Sequence, residues 1–183
     1  MKVHGIDWRA WVPEREATLL FVIRDGRVLL IHKKRGLGAG KVNGPGGHLQ
    51  DGESPLAAAV REVEEELGVT PLDVEPCGEL RFQFTDGLAL LVHVFRASDL
   101  RGEPRESDEA TPFWVPLDAI PFERMWADDR IWFPWMLRGV PFAGRFTFDG
   151  DTLLDFDLRP LSHTAKGAPR SRSGGHYRGP NRA

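Results

Sequence analysis

Five charged side chains crowd one six-residue stretch, Arg61-Glu62-Val63-Glu64-Glu65-Glu66, and a glycine-dense loop, Asn43-Gly44-Pro45-Gly46-Gly47-His48, lies shortly before it. On a helix turning about 100° per residue, Glu62, Glu65 and Glu66 fall on one flank and Glu64 on the far side, so Glu64 is predicted not to touch metal. Like charges this close repel unless a cation or water relieves them. Carboxylate oxygens are hard ligands suited to magnesium, which commonly bridges carboxylates and phosphates. Glycines let a backbone approach a ligand closely and turn its amides or carbonyls toward it. Together these groups could hold a divalent cation against a polyanion and help water attack it. Either feature alone would more readily be a solvated acidic helix face or an ordinary loop.

Residues Ser54 to Gly68 read as the helix that positions the acids. Ser54 can cap it, Pro55 suits a first turn that needs no amide hydrogen, and Gly68 can end it in a left-handed conformation. Its predicted buried stripe is Leu56, Val60, Val63 and Leu67. Apolar runs flank three Asp-Gly pairs, Asp25-Gly26, Asp86-Gly87 and Asp149-Gly150, and read as hairpins. In Thr152 to Leu158 apolar residues at 154, 156 and 158 alternate with acids, the period of a strand with one wet face. A second helix is predicted near Asp128 to Arg138, capped by Asp128 or Asp129 and limited in its regular hydrogen bonding by Pro134. Hairpins interspersed with helices indicate an α+β fold with helices layered on a sheet.

With 183 residues, 41% hydrophobic and 28% charged, the chain has an ordinary globular composition and the length of one domain. Residues 1–163 are read as that domain. Residues 164–183 carry Lys166, Arg170, Arg172, Arg178 and Arg182 without an acid, are rich in Gly, Ser and Pro, and are read as a basic disordered tail. Such a tail can hold polyanions, but it is read here as a solvated end, with no obligate nucleic-acid partner. The single cysteine, Cys77, allows no internal disulfide and suits a cytoplasmic setting. No leader-like run occupies Met1 to Pro13, and the apolar stretch Leu88 to Phe95 is interrupted by His93, so no membrane insertion is expected.

Gly47, Glu53, Arg61-Glu62-Val63, Glu65-Glu66 and Gly68-Val69 resemble the catalytic box of the Nudix hydrolases at all its fixed positions. Chance agreement at that many spaced positions is negligible. The resemblance implies an α/β/α sandwich with a mixed sheet, and magnesium, with manganese as a possible substitute, held by Glu62, Glu65, Glu66 and the Gly46 carbonyl. It implies that Arg61 and Glu53 pair to brace the loop. Beyond the box, Lys33 to Gly44, Glu106 to Glu109 and Ile120 to Pro134 resemble the mammalian-type branch of that family that hydrolyses oxidised purine nucleoside triphosphates such as 8-oxo-dGTP.

By that likeness Glu109 is a further metal ligand or general base, and Thr18, Lys33, Asn43, Trp126, Asp128 and Asp129 line the nucleotide pocket. Gly47 and His48 stand on the phosphate side. Asn43 offers a donor and an acceptor to a purine edge, and Trp126 a flat face for stacking. Adjacent buried acids should raise one pKa, and the protonated one could donate to a base. Trp132, Phe133 and Trp135 are read as core. Leu37, Val42 and Pro45 stand where that branch carries aromatics, and Leu90 where it carries methionine, so the pocket is reshaped. The reading is a monomeric enzyme acting on a nucleoside triphosphate. Its alternatives are another nucleoside diphosphate derivative, a dinucleoside polyphosphate or an RNA 5′ end as substrate, or a Nudix module that binds without cleaving.

Overall fold

In the computed structural model of the chain, which describes residues 1–161, the three hairpins form where the Asp-Gly pairs stand. The basic stretch at 164–183 lies outside the described residues. The elements are β1 (Arg15–Arg24), β2 (Arg27–Lys33), β3 (Val42–Asn43), α1 (Pro55–Leu67), β4 (Thr70–Leu72), β5 (Glu75–Phe84), β6 (Ala89–Ala97), β7 (Asp99–Arg101), β8 (Ala110–Pro116), α2 (Asp129–Leu137), β9 (Phe142–Asp149) and β10 (Thr152–Pro160). Asp25 and Gly26 adopt φ of 52° and 69°, the double left-handed geometry that lets a two-residue turn follow the twist of its strands.

Eight strands form one mixed sheet in the order β10-β9-β5-β6-β1-β2-β3, with β8 also paired to β2; β4 and β7 form a separate ladder. The hairpins are antiparallel, but β1 runs parallel to β6 and β5 parallel to β9. Alternation along β1 sends Phe21 to one face and Leu20 and Val22 to the other. The first face packs with Leu80, Phe82, Phe146 and the α2 residues Trp132 and Phe133; the second packs with Val63 and Leu67 of α1. Helices on both faces of a mixed sheet make the α/β/α layering that the box implies. Among the described residues no helix is long and apolar enough to cross a membrane.

The caps of α1 are as predicted: Ser54 Oγ accepts from the Ala57 amide at 3.2 Å, and Gly68 takes φ 68° while its amide donates to the Glu64 carbonyl. Its buried face is turned from the predicted stripe. Ala58, Ala59, Val63, Glu66 and Leu67 are buried, Val60 is half-buried and Leu56 is 46% exposed. A stripe drawn through large apolar residues passes over alanine, whose small side chain lets the helix approach the sheet. At α2, Asp128 takes the N-cap position as expected, but its side chain makes no capping bond: Asp128 accepts from the Trp132 indole and Asp129 from the Trp126 amide. In β10 a bulge between Leu153 and Asp155 displaces Leu154 from the alternation. Asp155 then accepts the Val3 amide, docking the N-terminal segment on the sheet.

Leu67→Ala should destabilise the protein by about 2–5 kcal/mol in urea denaturation, through cavity formation. Leu56→Ala should change stability by less than about 0.5 kcal/mol; equal losses at the two positions would contradict the observed helix orientation.

Candidate active site

The Gly46–Gly47 turn is squeezed between β1 and α1. Gly46 has φ 156°, and a Cβ there would lie 1.9 Å from the Thr18 carbonyl oxygen; a Cβ on Gly47 would meet the Glu62 carboxylate at 2.4 Å. A side chain at Gly46 would push the loop off the β1 backbone, and one at Gly47 would displace the Glu62 carboxylate. The loop is tied to β1 by the Thr18 amide donating to the Gly47 carbonyl and by the Ala17–His48 bridge.

From the helix side, the Gly46 amide donates to Glu66 Oε2 at 3.0 Å. Arg61 holds the far end of the loop: its Nε and Nη2 donate to the two oxygens of Glu53 at 2.8 and 2.9 Å, and Nη2 also reaches the His48 carbonyl at 3.1 Å. This fork-to-carboxylate pair is the brace that the resemblance implied. The Arg61 hydrogen bonds, then the Gln50 amide, lower the Glu53 pKa to about 2.

Beside this loop opens a cavity of about 480 Å³. Its polar wall carries Glu62, Glu66, Glu109, Lys33, Arg35, Gly46, Gly47 and His48; its other wall carries Leu19, Leu37, Phe82, Phe84, Leu90, Trp126 and Phe148, with Thr18, Asn43, Asp128 and Asp129. Every predicted pocket residue is therefore on the wall. Glu65 is not: its side chain is 60% exposed and accepts from Arg61 Nη1 at 3.1 Å. Glu64 is exposed and accepts from Thr70. Glu109 pairs with Arg35, and among the described residues no three His, Cys, Asp or Glu side chains converge at metal-ligand distances. Of the four departures noted in the sequence, Leu37 and Leu90 line the cavity. Val42 is fully buried in the core behind it, and Pro45 contributes its carbonyl to the Leu20 amide.

Sequence reasoning missed Phe84 and Phe148. Each is the last core-facing aromatic of a strand that runs into an Asp-Gly turn, which is the signal that could have found them. They stand nearly perpendicular to the Trp126 indole, at 6.4 and 5.7 Å between centroids, an edge-to-face arrangement that aromatic quadrupoles favour.

The acids occupy contrasting environments. Glu66 is 2% exposed. Burial raises its pKa to about 7, against the Gly46 amide and the Lys33 ammonium 4.0 Å away; the charges of Glu62 and Glu109 add to the rise. A buried carboxylate flanked by two others, with one amide and a distant ammonium as its counterparts, fits a divalent cation, and the donor set is all hard oxygen. Asp128 and Asp129 are each 3% exposed. Burial raises Asp128 to about 6 against the Trp132 hydrogen bond, and burial and then the Asp128 charge raise Asp129. Thr18 Oγ1 is buried without a hydrogen-bond partner, a polar atom left for a ligand.

The NUDIX domain family model matches residues 13–136. The chain is 49% identical over 143 residues to the oxidized purine nucleoside triphosphate hydrolase of Danio rerio, covering 77% of this chain and 92% of that protein. It is 44% identical over 146 residues to the Mus musculus protein of the same name, covering 79% and 94%. The fold is similar to that of the MutT protein from Bacillus halodurans, with a TM-score of 0.72, 29% identity, and coverage of 79% of this chain and 97% of that one.

The acids impose two opposite pH dependences on stability. Unfolded carboxylates ionise at 3.8 to 4.5, but Asp128 and Glu66 in the fold do so at about 6 and 7. Between those values the folded chain holds more protons, so metal-free protein should lose stability as pH rises from about 4 toward 7. Asp128→Asn keeps an acceptor for Trp132 and should flatten that slope in thermal melts with chelator. Glu53 acts oppositely: its contribution is full above 4.5 and is lost as pH falls toward about 2, and Glu53→Gln should remove that acid limb.

Proposed function

Because this chain belongs to the Nudix family, we propose that it hydrolyses oxidised or otherwise modified purine nucleoside triphosphates to the monophosphate and pyrophosphate, with water as the attacking group and magnesium as its cation. The observation that carries this reading is the division of one cavity: carboxylates pinned against a glycine turn at one end, and an aromatic wall with a buried acid pair at the other. The fish and mouse relatives, named for hydrolysis of oxidized purine nucleoside triphosphates, support the substrate class.

Glu62, Glu66, Glu109 and the Gly46 carbonyl would hold the cation, joined by Glu65 if it turns from Arg61. The ion would neutralise the phosphate oxygens and acidify the attacking water. Lys33, on the same wall, supplies a further positive charge to the phosphates, and His48 follows the turn on that side. Glu66 or Glu109 takes the water proton. Arg61 and Glu53 keep the turn in place without lining the cavity. At the other end the Trp126 face takes the purine ring, and Phe84, Phe148 and Leu90 exclude water around it. Asn43 can donate and accept at the base edge. A protonated Asp128 or Asp129 can donate where an ionised one only accepts, so the pair can match purine edges that differ in their donors. The buried Cys77, the one cysteine of the chain, suits a reducing cytoplasm for this work.

Pyrophosphate release from 8-oxo-dGTP with magnesium tests the reading. Glu66→Gln should lower kcat by at least about 100-fold; a parent protein that releases pyrophosphate from no purine nucleoside triphosphate would sink it. Asn43→Ala should raise KM for 8-oxo-dGTP about three- to tenfold while kcat moves much less, the loss of one or two hydrogen bonds. An unchanged preference over undamaged dGTP in that variant would remove Asn43 from base recognition.

A further inference from the structure

Trp126 is gripped by residues that do not belong to the cavity wall. Lys41 extends its ammonium to 5.0 Å from the indole centroid, and the same nitrogen lies 2.9 Å from Asp151 Oδ2 in the β9–β10 turn. Neither Lys41 nor Asp151 lines the cavity. Gly38 packs on the indole edge, where a Cβ would stand 2.8 Å from Trp126 Nε1. The segment joining β2 to β3 is itself closed: the Lys33 amide donates to the Lys41 carbonyl, and the Gly40 amide to the Lys33 carbonyl, at 3.0 and 2.8 Å. That closed segment carries Arg35, Gly36 and Leu37 onto the cavity wall. The β9–β10 turn continues directly from Phe148, which meets the Trp126 ring, and the Phe148 carbonyl accepts from Thr85 in the β5–β6 turn.

We infer that Lys41 is a positioning residue for the base end of the cavity: anchored on Asp151, its ammonium fixes the tilt of the Trp126 indole and ties the 34–41 segment to the β9–β10 turn. This rests on the reading that Trp126 receives a purine ring. The π face of indole attracts a cation, whereas Asp151, with its side chain 69% exposed, adds little stability as an ion pair alone. Its effect is to aim the ammonium. An indole free to tilt must be ordered when a ring stacks on it, and that ordering weakens binding. In the proposed reaction water attacks beside Glu62, Glu66 and Glu109, away from Trp126, so the Lys41 contribution appears in nucleotide binding and leaves the chemical step alone. Leu37 rides on the same segment, so the clamp also sets how closely that side chain approaches the base.

Lys41→Met keeps the aliphatic stem and removes the charge, Lys41→Arg keeps a charge, and Asp151→Asn frees the ammonium. KM and kcat for 8-oxo-dGTP are measured with magnesium, and Kd for 8-oxo-dGMP by calorimetry. Lys41→Met should raise both KM and Kd about two- to fivefold, the size of a cation–π contact, with kcat little changed. Lys41→Arg should restore both, Asp151→Asn should shift them in the same direction by less, and the Lys41→Met/Asp151→Asn double variant should be no worse than Lys41→Met. Unchanged KM and Kd in Lys41→Met, a parallel fall in kcat, or an equally impaired Lys41→Arg would overturn the inference. If the parent turns over no purine nucleoside triphosphate, the proposed function fails and this inference with it. A parent that turns them over with the same KM and Kd as Lys41→Met defeats the inference alone.

Discussion

A carboxylate sealed to 2% exposure has to be matched by donors or a cation, and the site is arranged around meeting that demand at Glu66. The Gly46 amide is its one direct hydrogen-bond donor among the described residues, which fixes where the loop must run. Running there brings the loop backbone against the Thr18 carbonyl and the Glu62 carboxylate, so position 46 accepts only glycine and a side chain at 47 would displace the Glu62 carboxylate. The Arg61–Glu53 pair then prevents the loop from relaxing away from the helix. The glycines, the brace and the buried acid are therefore one mechanical unit, and the repulsion left among Glu62, Glu66 and Glu109 is the electrostatic reserve that a divalent cation would relieve.

Along the cavity, three acid environments behave differently for physical reasons that can be separated. Glu53 has a guanidinium fork and ionises readily. Glu66 is desolvated, with one main-chain amide and a more distant Lys33 ammonium to offset its charge. Asp128 and Asp129 are desolvated beside one another, with an indole N–H and a main-chain amide for partners, so burial raises the pKa of both and the Asp128 charge raises that of Asp129 further. The mixed sheet brings these groups together: parallel pairing of β1 with β6 and of β5 with β9 draws strands distant in sequence into one wall, and α2 lays its first turn across that wall.

Much of this was legible in the chain. Asp-Gly pairs located the hairpins because each turn needs a positive φ that its glycine takes readily, and at Asp25-Gly26 both residues take it. Ser54, Pro55 and Gly68 bounded α1 because each satisfies or omits a terminal backbone group. The spacing of Gly47, Glu53, Arg61, Glu62, Glu65 and Glu66 identified the reaction class, since each of these positions is tied to loop geometry or helical phase. The buried face of α1 was misjudged because alanines pack as closely as larger residues without announcing it. The alternation expected at 154, 156 and 158 is broken at Leu154 because a bulge is stabilised by partners elsewhere, here the Thr147 hydroxyl and the Val3 amide donating to Asp155.

What the sequence by itself determined is the local grammar: turns, caps, the glycine loop, and the set of acids able to serve a polyanion. Those follow from backbone sterics and from the phase of one helix, which are properties of neighbouring residues. Only the tertiary structure decided that Glu66 is sealed while Glu65 faces outward, that the Asp128 and Asp129 side chains are desolvated and make no capping bond, and that Phe84, Phe148 and Lys41 surround Trp126. Burial and cross-strand contact depend on which distant segments pack on a residue, and in this chain the parallel pairings of β1 with β6 and β5 with β9 make that choice.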